Sequence, residues 1–260
     1  MSDVELEALR HSSGRPRRVD KLVLDGVEAV VKRQRPARGA WRARVVNALA
    51  RAVGLPWLQA VPAHGGLEGQ AVELRRLAGL ATAGVRVPRV LHVDPTFFVM
   101  ERLPGHSLVK LIERAAPGQR VGPWKEGLAA IADVHARGQY LSQAFARNFI
   151  ATPSGLAMID FEDDPLEAMS LEDAQARDWL AYLHSTLWLL DAPAAITRAA
   201  FEAALAPEAA SIRNRVHLAA KRLGGLRRLP TRRRPWGREV VSLQALGALL
   251  ASPPVSTRHT

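Results

Sequence analysis

The chain of 260 residues contains no cysteine. That excludes disulfides, thiolate catalysis and cysteine zinc sites, and fits a reducing compartment. The first residues, MSDVELEALRHSSGRPRR, hold no apolar core of the kind a signal peptide carries. No apolar run is long enough to cross a bilayer. The longest, WLAYLHSTLWLL at 179–190, includes His184 and falls short of the roughly 20 residues a spanning helix needs. It reads as a buried helix, and a cytoplasmic protein is expected. Acidic residues are missing from two long tracts. None lies between Glu28 and Glu68, where Lys32, Arg33, Arg35, Arg38, Arg42, Arg44 and Arg51 stand. None lies between Glu208 and Glu239, where Arg213, Arg215, Lys221, Arg222, Arg227, Arg228, Arg232, Arg233, Arg234 and Arg238 stand.

These tracts account for much of a formal net charge of +11. Basic residues interleaved with Trp, Leu and Val suit an anionic membrane surface, at roughly 1 kcal/mol per side chain near it. They suit nucleic acid less well, and a solvated Arg-rich face is the plain alternative. The expectation is a peripheral position on the inner face of the cytoplasmic membrane. Hydrophobic content of 48% and charged content of 23% are ordinary for a globular chain. The length allows one large domain or two lobes sharing a cleft. No internal repeat is visible.

The order of elements is a strand-rich third followed by helices. DKLVLDGVEAVVKRQ (20–34) alternates around an Asp25-Gly26 hairpin turn. Residues 38–53 carry Trp41, Val45, Val46, Leu49 and Val53 at helical spacing, stopped by Gly54 and Pro56. A second amphipathic helix spans 67–82. RVLHVD and TFFVMERL predict strands around Asp94-Pro95, and GHSLVKLIERA a helix. A long helix from Trp124 to Arg137 is closed by Gly138, and NFIAT and LAMIDF form a hairpin around Pro153-Ser154-Gly155. Beyond residue 167 the pattern is helical up to a basic loop near 223–237. A last helix, 239–251, has an apolar stripe that either packs on the helices or rests on a membrane.

Four polar residues fall at telling places in this order. Lys32 closes VEAVVK, where an ammonium reaches phosphates as a point charge, or merely snorkels to water. Glu73 sits mid-helix, placed to pair with Lys32, or with Arg76 on its own helix. Asn148 precedes one hairpin strand and Asp160 follows the other, so the hairpin brings them together. An amide oxygen plus a carboxylate is a hard-oxygen pair suited to Mg²⁺.

Together with FFVMERLPG, LAAIADVHARG and MIDFE, this sequence resembles the protein-kinase-like superfamily. It is most similar to the bacterial lipopolysaccharide kinase group, the core heptose and Kdo kinases, on VVKRQRPARGAWRARVVNALARAVGLP and ELRRLAGLATAGVRVPRVL. The resemblance covers roughly 20–190. It implies an α+β, two-lobed protein-kinase-like fold with a small β-rich N-lobe and a larger helical C-lobe. The implied division is an extension at 1–19, the N-lobe at 20–103, the C-lobe at 104–222, and a basic loop and terminal helix at 223–260. It further implies that Lys32 contacts the ATP phosphates, that Glu73 orients it, and that the backbone from Glu101 to Leu103 holds adenine. Asn148 and Asp160 bind Mg²⁺, and Asp178 braces the catalytic loop. The acceptor implied is a sugar or envelope glycolipid.

Two family features are missing. There is no glycine-rich phosphate loop, since only Gly14 stands before DKLVLD. The family pattern His-x-x-Gly-x-x-His-Gly-Asp is met by His135 and Gly138, but Leu141, Ser142 and Gln143 stand where His-Gly-Asp is expected, and Asn148 follows Gln143 by five residues. A glutamine accepts a hydrogen bond but takes no proton at neutral pH. Asp163 and Asp164 are either substitute bases or a helix N-cap before PLEAM. The expected function is an ATP/Mg-dependent phosphotransferase. The alternative is a catalytically impaired pseudokinase that binds Mg-ATP as a regulatory scaffold.

Overall fold

The computed structural model describes residues 18–24, 26–36 and 40–251. Strands β1 (Val19–Leu24) and β2 (Val27–Arg33) pair antiparallel, with Gly26 at φ 78° in the turn. Asp25 and the segment around Gly14 lie outside the described residues. Helices α1 (Ala40–Val53) and α2 (Gly66–Thr82) follow. Then β3 (Val90–Val93) and β4 (Phe97–Glu101) complete a sheet of order β1-β2-β4-β3. Side chains alternate across it. Ala29, Val31, Phe97 and Val99 form a small cluster on one face, while Phe98 and Met100 join the main core on the other. The same alternation puts Lys32, paired with Phe98 and two residues from Val30, on the core side.

The second lobe is mainly helical: α3 (Leu108–Arg114), α4 (Val121–Ala136), α5 (Leu171–Thr186), α6 (Ala194–Leu205), α7 (Ala210–Leu223) and α8 (Arg238–Ala251). A small sheet joins β5 (His106–Ser107), just before α3, to the hairpin of β6 (Phe149–Thr152) and β7 (Gly155–Met158) between α4 and α5. The fold is an α+β arrangement of a small β-rich lobe and a larger helical one, the division that the resemblance implies. Gly138, at φ 69°, ends α4 and sends the chain into the loop before β6. Few side chains but glycine's accept that conformation cheaply.

Trp124, Trp179, Tyr182, Phe149 and Phe161 are fully buried in the main core. Full burial of a large apolar side chain contributes about 1.5–3 kcal/mol. Packing is closest at Gly127 on α4, where Tyr182 crosses and its hydroxyl donates to Trp124 O at 2.8 Å. A Cβ at Gly127 would run into the Tyr182 ring and lie 2.7 Å from Leu108 Cδ2. Gly127→Ala is therefore expected to destabilise the protein by about 1–3 kcal/mol despite alanine's better helix propensity. A thermal melt no lower than that of the parent would show that this contact is not tight.

The tail differs from expectation. The basic stretch near 223–237 is not simply a loop: Gly224–Arg228 forms a 3₁₀ turn and Arg233–Trp236 a short helical turn. The first is ordered by packing, since a Cβ at Gly247 of α8 would sit 2.7 Å from Leu226 Cβ. The apolar stripe of α8 packs on the C-lobe. Leu246, Leu249 and Leu250 are buried in the main core, and Arg198 Nη1 donates to Leu249 O at 2.9 Å. Parts of the second basic tract serve structural ends: Arg215 Nε meets Asp173 Oδ1 at 2.5 Å, and Arg233 lies 5.0 Å over the Trp188 ring. Among the described residues no helix is long and apolar enough to cross a membrane.

Candidate active site

Lys32 does not snorkel. It is 6% exposed, and its ammonium lies 2.6 Å from Glu73 Oε1, 2.8 Å from Asp160 Oδ1 and 2.8 Å from Glu162 Oε1. Glu73 points inward because it shares a face of α2 with Leu77 and Leu80, both buried. Its intrahelical alternative, Arg76, is engaged elsewhere, donating to Tyr140 O at 2.7 Å and stacking 3.6 Å over the Tyr140 ring. Thus α2 fixes the lysine on one side and grips the loop after α4 on the other. Burial holds the Glu73 carboxyl above its ordinary value, outweighing the nearby ammonium. Burial also pushes Asp160 up, but there the Lys32 charge wins and the carboxyl sits below its ordinary value.

The hairpin β6–β7 brings Asn148 and Asp160 together as expected. Phe149 pairs with Met158, and Ile159 N donates to Asn148 O at 2.9 Å. The strand stops at Met158, before the aspartate. Asp160 then adopts φ 74°; with Ser142 at φ 66°, these are the only non-glycine residues of positive φ among the described residues. Such a conformation costs about 1–3 kcal/mol and collects at functional sites. Here the two strained residues sit on the two loops that meet at Asn148, whose Nδ2 donates to Gln143 O at 3.0 Å.

Lys32, Asn148 and Asp160 line a cleft of about 420 Å³ between the lobes, a size suited to a small-molecule ligand. Its other half is apolar: Val30, Pro88, Met100, Leu103, Ile150 and Ile159. Glu101 and Leu103 are at its edge. The Glu101 carboxylate is turned away, bonding Arg86 Nη2 at 2.7 Å, and Glu101 N donates to Arg89 O at 2.8 Å. Arg102 N donates to Glu28 O at 3.1 Å, while the Leu103 N–H has no hydrogen-bond partner among the described residues. Leu103 therefore offers the one uncommitted N–H of the three-residue segment 101–103.

The altered loop is held from beneath. Asp178 Oδ2 accepts from Leu141 N at 2.6 Å and lies 3.4 Å from His135 Nε2. His135 Nδ1 is 2.6 Å from Glu208 Oε1, which also accepts from Trp179 Nε1 at 2.8 Å. Burial disfavours a charged His135, yet its bonds to Asp178 and Glu208 outweigh this and raise its pKa above the ordinary 6.5. Gln143 Nε2 donates to Asp163 Oδ2 at 2.7 Å. The two candidate bases divide. Asp164 is the N-cap of the 3₁₀ turn Pro165–Glu167, accepting from Leu166 N, and it also binds the Tyr140 hydroxyl at 2.5 Å. Asp163 remains beside Gln143.

Sequence reasoning missed Glu162, Arg18 and Arg35 as members of this site. Glu162 is 4% exposed and meets Arg18, Lys32 and Arg35, the last through Oε2 at 2.5 Å. The available signal was a charged residue directly after Ile-Asp-Phe, shortly past the strand that ends at Met158.

Among the described residues no group of three or more His, Asp or Glu is placed to hold a metal. One carboxylate and one amide suffice for Mg²⁺, which keeps waters and takes phosphate oxygens for its other positions. No family model matches the chain, and no curated protein matches it. Among solved structures it is similar to the crystal structure of aminoglycoside phosphotransferase APH(2'')-Ib, ADP-bound, at 12% sequence identity and a TM-score of 0.42, covering 95% of this chain and 98% of that chain.

Proposed function

We propose that this protein is an ATP/Mg²⁺-dependent phosphotransferase acting on a hydroxyl of a sugar or envelope glycolipid. The observation that carries the reading is Lys32, buried at the cleft and joined at once to Glu73 on α2 and Asp160 after β7. An ammonium fixed by two elements from different lobes is a preorganised point charge for phosphates. Adenine fits the apolar half of the cleft, with the Leu103 N–H as its donor. Asn148 and Asp160 would hold Mg²⁺, which when bound offsets the charge developing on the transferred group.

Gln143 orients rather than deprotonates. Its neighbour Asp163, as a carboxylate, only accepts, so the amide must present its NH₂ there. That leaves Oε1 to accept a hydrogen bond from the acceptor hydroxyl. The hydroxyl oxygen takes the γ-phosphoryl group as the bond to ADP breaks. In a loose transition state the hydroxyl proton leaves late, to a transferred phosphoryl oxygen or to water, so positioning carries most of the rate. The missing base favours a second reading, a slow or silent site that binds Mg-ATP as a regulatory scaffold. The basic tracts support an anionic acceptor or a membrane-surface location.

The test is thermal unfolding with Mg-ATP, using Asp160→Ala as control, followed by ATP turnover. At about a hundred times its dissociation constant, ligand should add roughly 2.7 kcal/mol of stability. The gain should vanish in Asp160→Ala. Turnover with a sugar acceptor selects the enzyme, and binding without turnover the scaffold. No gain in the parent protein would sink both.

A further inference from the structure

Glu162 carries a different kind of information from the rest of the site. Its carboxylate is 4% exposed, yet three cations of the described residues converge on it. They divide between its two oxygens. Oε1 meets Lys32 Nζ at 2.8 Å and Arg18 Nη2, whereas Oε2 meets Arg35 Nη1 at 2.5 Å. Lys32, Arg18 and Glu162 line both the nucleotide-sized cleft and the smaller pocket near Gly65 and Gly66, whereas Arg35 lines the smaller pocket and not the cleft. So the two cations on Oε1 reach the cleft, and the cation on Oε2 is anchored outside it.

Arg18 is placed by the backbone. Its carbonyl accepts from Arg33 N at 2.8 Å, extending the β1–β2 ladder by one step past the Val19–Lys32 pair. This fixes the Arg18 main chain beside Lys32. Its side chain is 41% exposed at the cleft. A guanidinium there presents a planar fork of donors suited to phosphate oxygens.

Resting on the phosphotransferase reading, we infer that Glu162 Oε1 marks the position of a nucleotide phosphate oxygen and that Arg18 is a phosphate-binding residue. The carboxylate is a built-in competing anion. In the nucleotide-free protein it neutralises Arg18 and Lys32. When a polyphosphate arrives, its oxygens take over those two contacts, and Arg35 keeps Glu162 withdrawn through Oε2. Arg18 then supplies, by charge, part of what a glycine-rich loop supplies by backbone N–H groups. Discrimination follows from the same geometry: a ligand with enough negative charge displaces the carboxylate, and a nucleoside does not.

The experiment compares binding of ATP, tripolyphosphate and adenosine by calorimetry to the parent, Glu162→Gln and Arg18→Gln. Glu162→Gln should bind ATP and tripolyphosphate about tenfold more tightly, the scale of one charge-assisted contact, with adenosine unchanged. Arg18→Gln should bind both polyphosphates about tenfold more weakly, again with adenosine unchanged. Arg18 is half exposed, so its variant should fold even if Glu162→Gln does not. Unchanged polyphosphate affinity in Arg18→Gln, or weaker affinity in a folded Glu162→Gln, would overturn the inference. Tripolyphosphate needs no adenine pocket. A parent that binds it with the predicted variant pattern but binds no ATP would fail the phosphotransferase reading alone. A parent that binds ATP without that pattern would fail this inference alone.

Discussion

Lys32→Met is expected to destabilise the protein by about 3–5 kcal/mol at pH 7, because it leaves buried carboxylates without their shared cation. Glu73, Asp160 and Glu162 all lie within 2.8 Å of the Lys32 ammonium. Arg18 and Arg35 still face Glu162, but Glu73 and Asp160 lose a partner that no neighbour replaces at the same place. The pH dependence gives the cause away. In the parent, Asp160 is held below its ordinary 3.8, so its contribution is present above that value and lost as pH falls through the folded value. In the variant the ammonium is gone and burial alone acts, raising Asp160 and raising Glu73 further. Acid then neutralises both and relieves the strain. The stability gap between parent and variant should accordingly be widest near neutral pH and narrow toward acid. Urea unfolding at pH 7 and at pH 5 measures it. A gap of equal size at the two values would mean that methionine fails by shape rather than by missing charge.

The part of this site that could be seen in the sequence is the part set by periodicity and short loops. Period 2 in VEAVVK puts Lys32 on the face of Val30, and helical spacing puts Glu73 with Leu77 and Leu80. A hairpin only a few residues long brings Asn148 to Asp160. Each is a local consequence of backbone geometry. What could not be seen depends on side chains meeting across long separations. Arg76 and Glu73 are three residues apart on α2, yet one turns to Tyr140 and the other to Lys32, a choice made by the packing of two lobes. Asp163 and Asp164 are adjacent and chemically alike. Only the fold sends the first to Gln143 and the second to Tyr140 and a 3₁₀ cap. Glu162 was hidden for the same reason, since its cations come from either side of β2. The apolar stripe of α8 was equally compatible with a membrane and a core, and the close approach of Leu226 to Gly247 is a tertiary fact.

Asp178→Ala is expected to cost a further about 3–5 kcal/mol, and to loosen the loop that carries Ser142 and Gln143. The aspartate is 1% exposed and serves two partners, the Leu141 N–H at 2.6 Å and the His135 ring at 3.4 Å. Alanine leaves a backbone donor unpaired in the core and removes one of the two carboxylates that favour a protonated His135. The histidine supplies the signature. In the parent its folded pKa is raised, so its contribution is complete below the ordinary 6.5 and is lost as pH climbs through the folded value. Parent stability should thus decline above neutral pH by the share His135 holds. In Asp178→Ala burial still disfavours the charge while only Glu208 supports it, so the folded pKa falls and this decline should shrink or disappear. Glu208 cannot compensate through Leu141, because its own oxygen already serves His135 and Trp179. The imidazole resonances of His135 followed by NMR, alongside unfolding free energies from pH 6 to 9, separate this account from simple cavity formation. A cavity would lower stability equally at every pH and leave the histidine titrating as before. If instead the titration moves down and the alkaline decline flattens, then the buried His135–Asp178 contact holds the altered loop in place. The strained φ of 66° at Ser142, one residue past the Leu141 anchor, is then maintained by that contact.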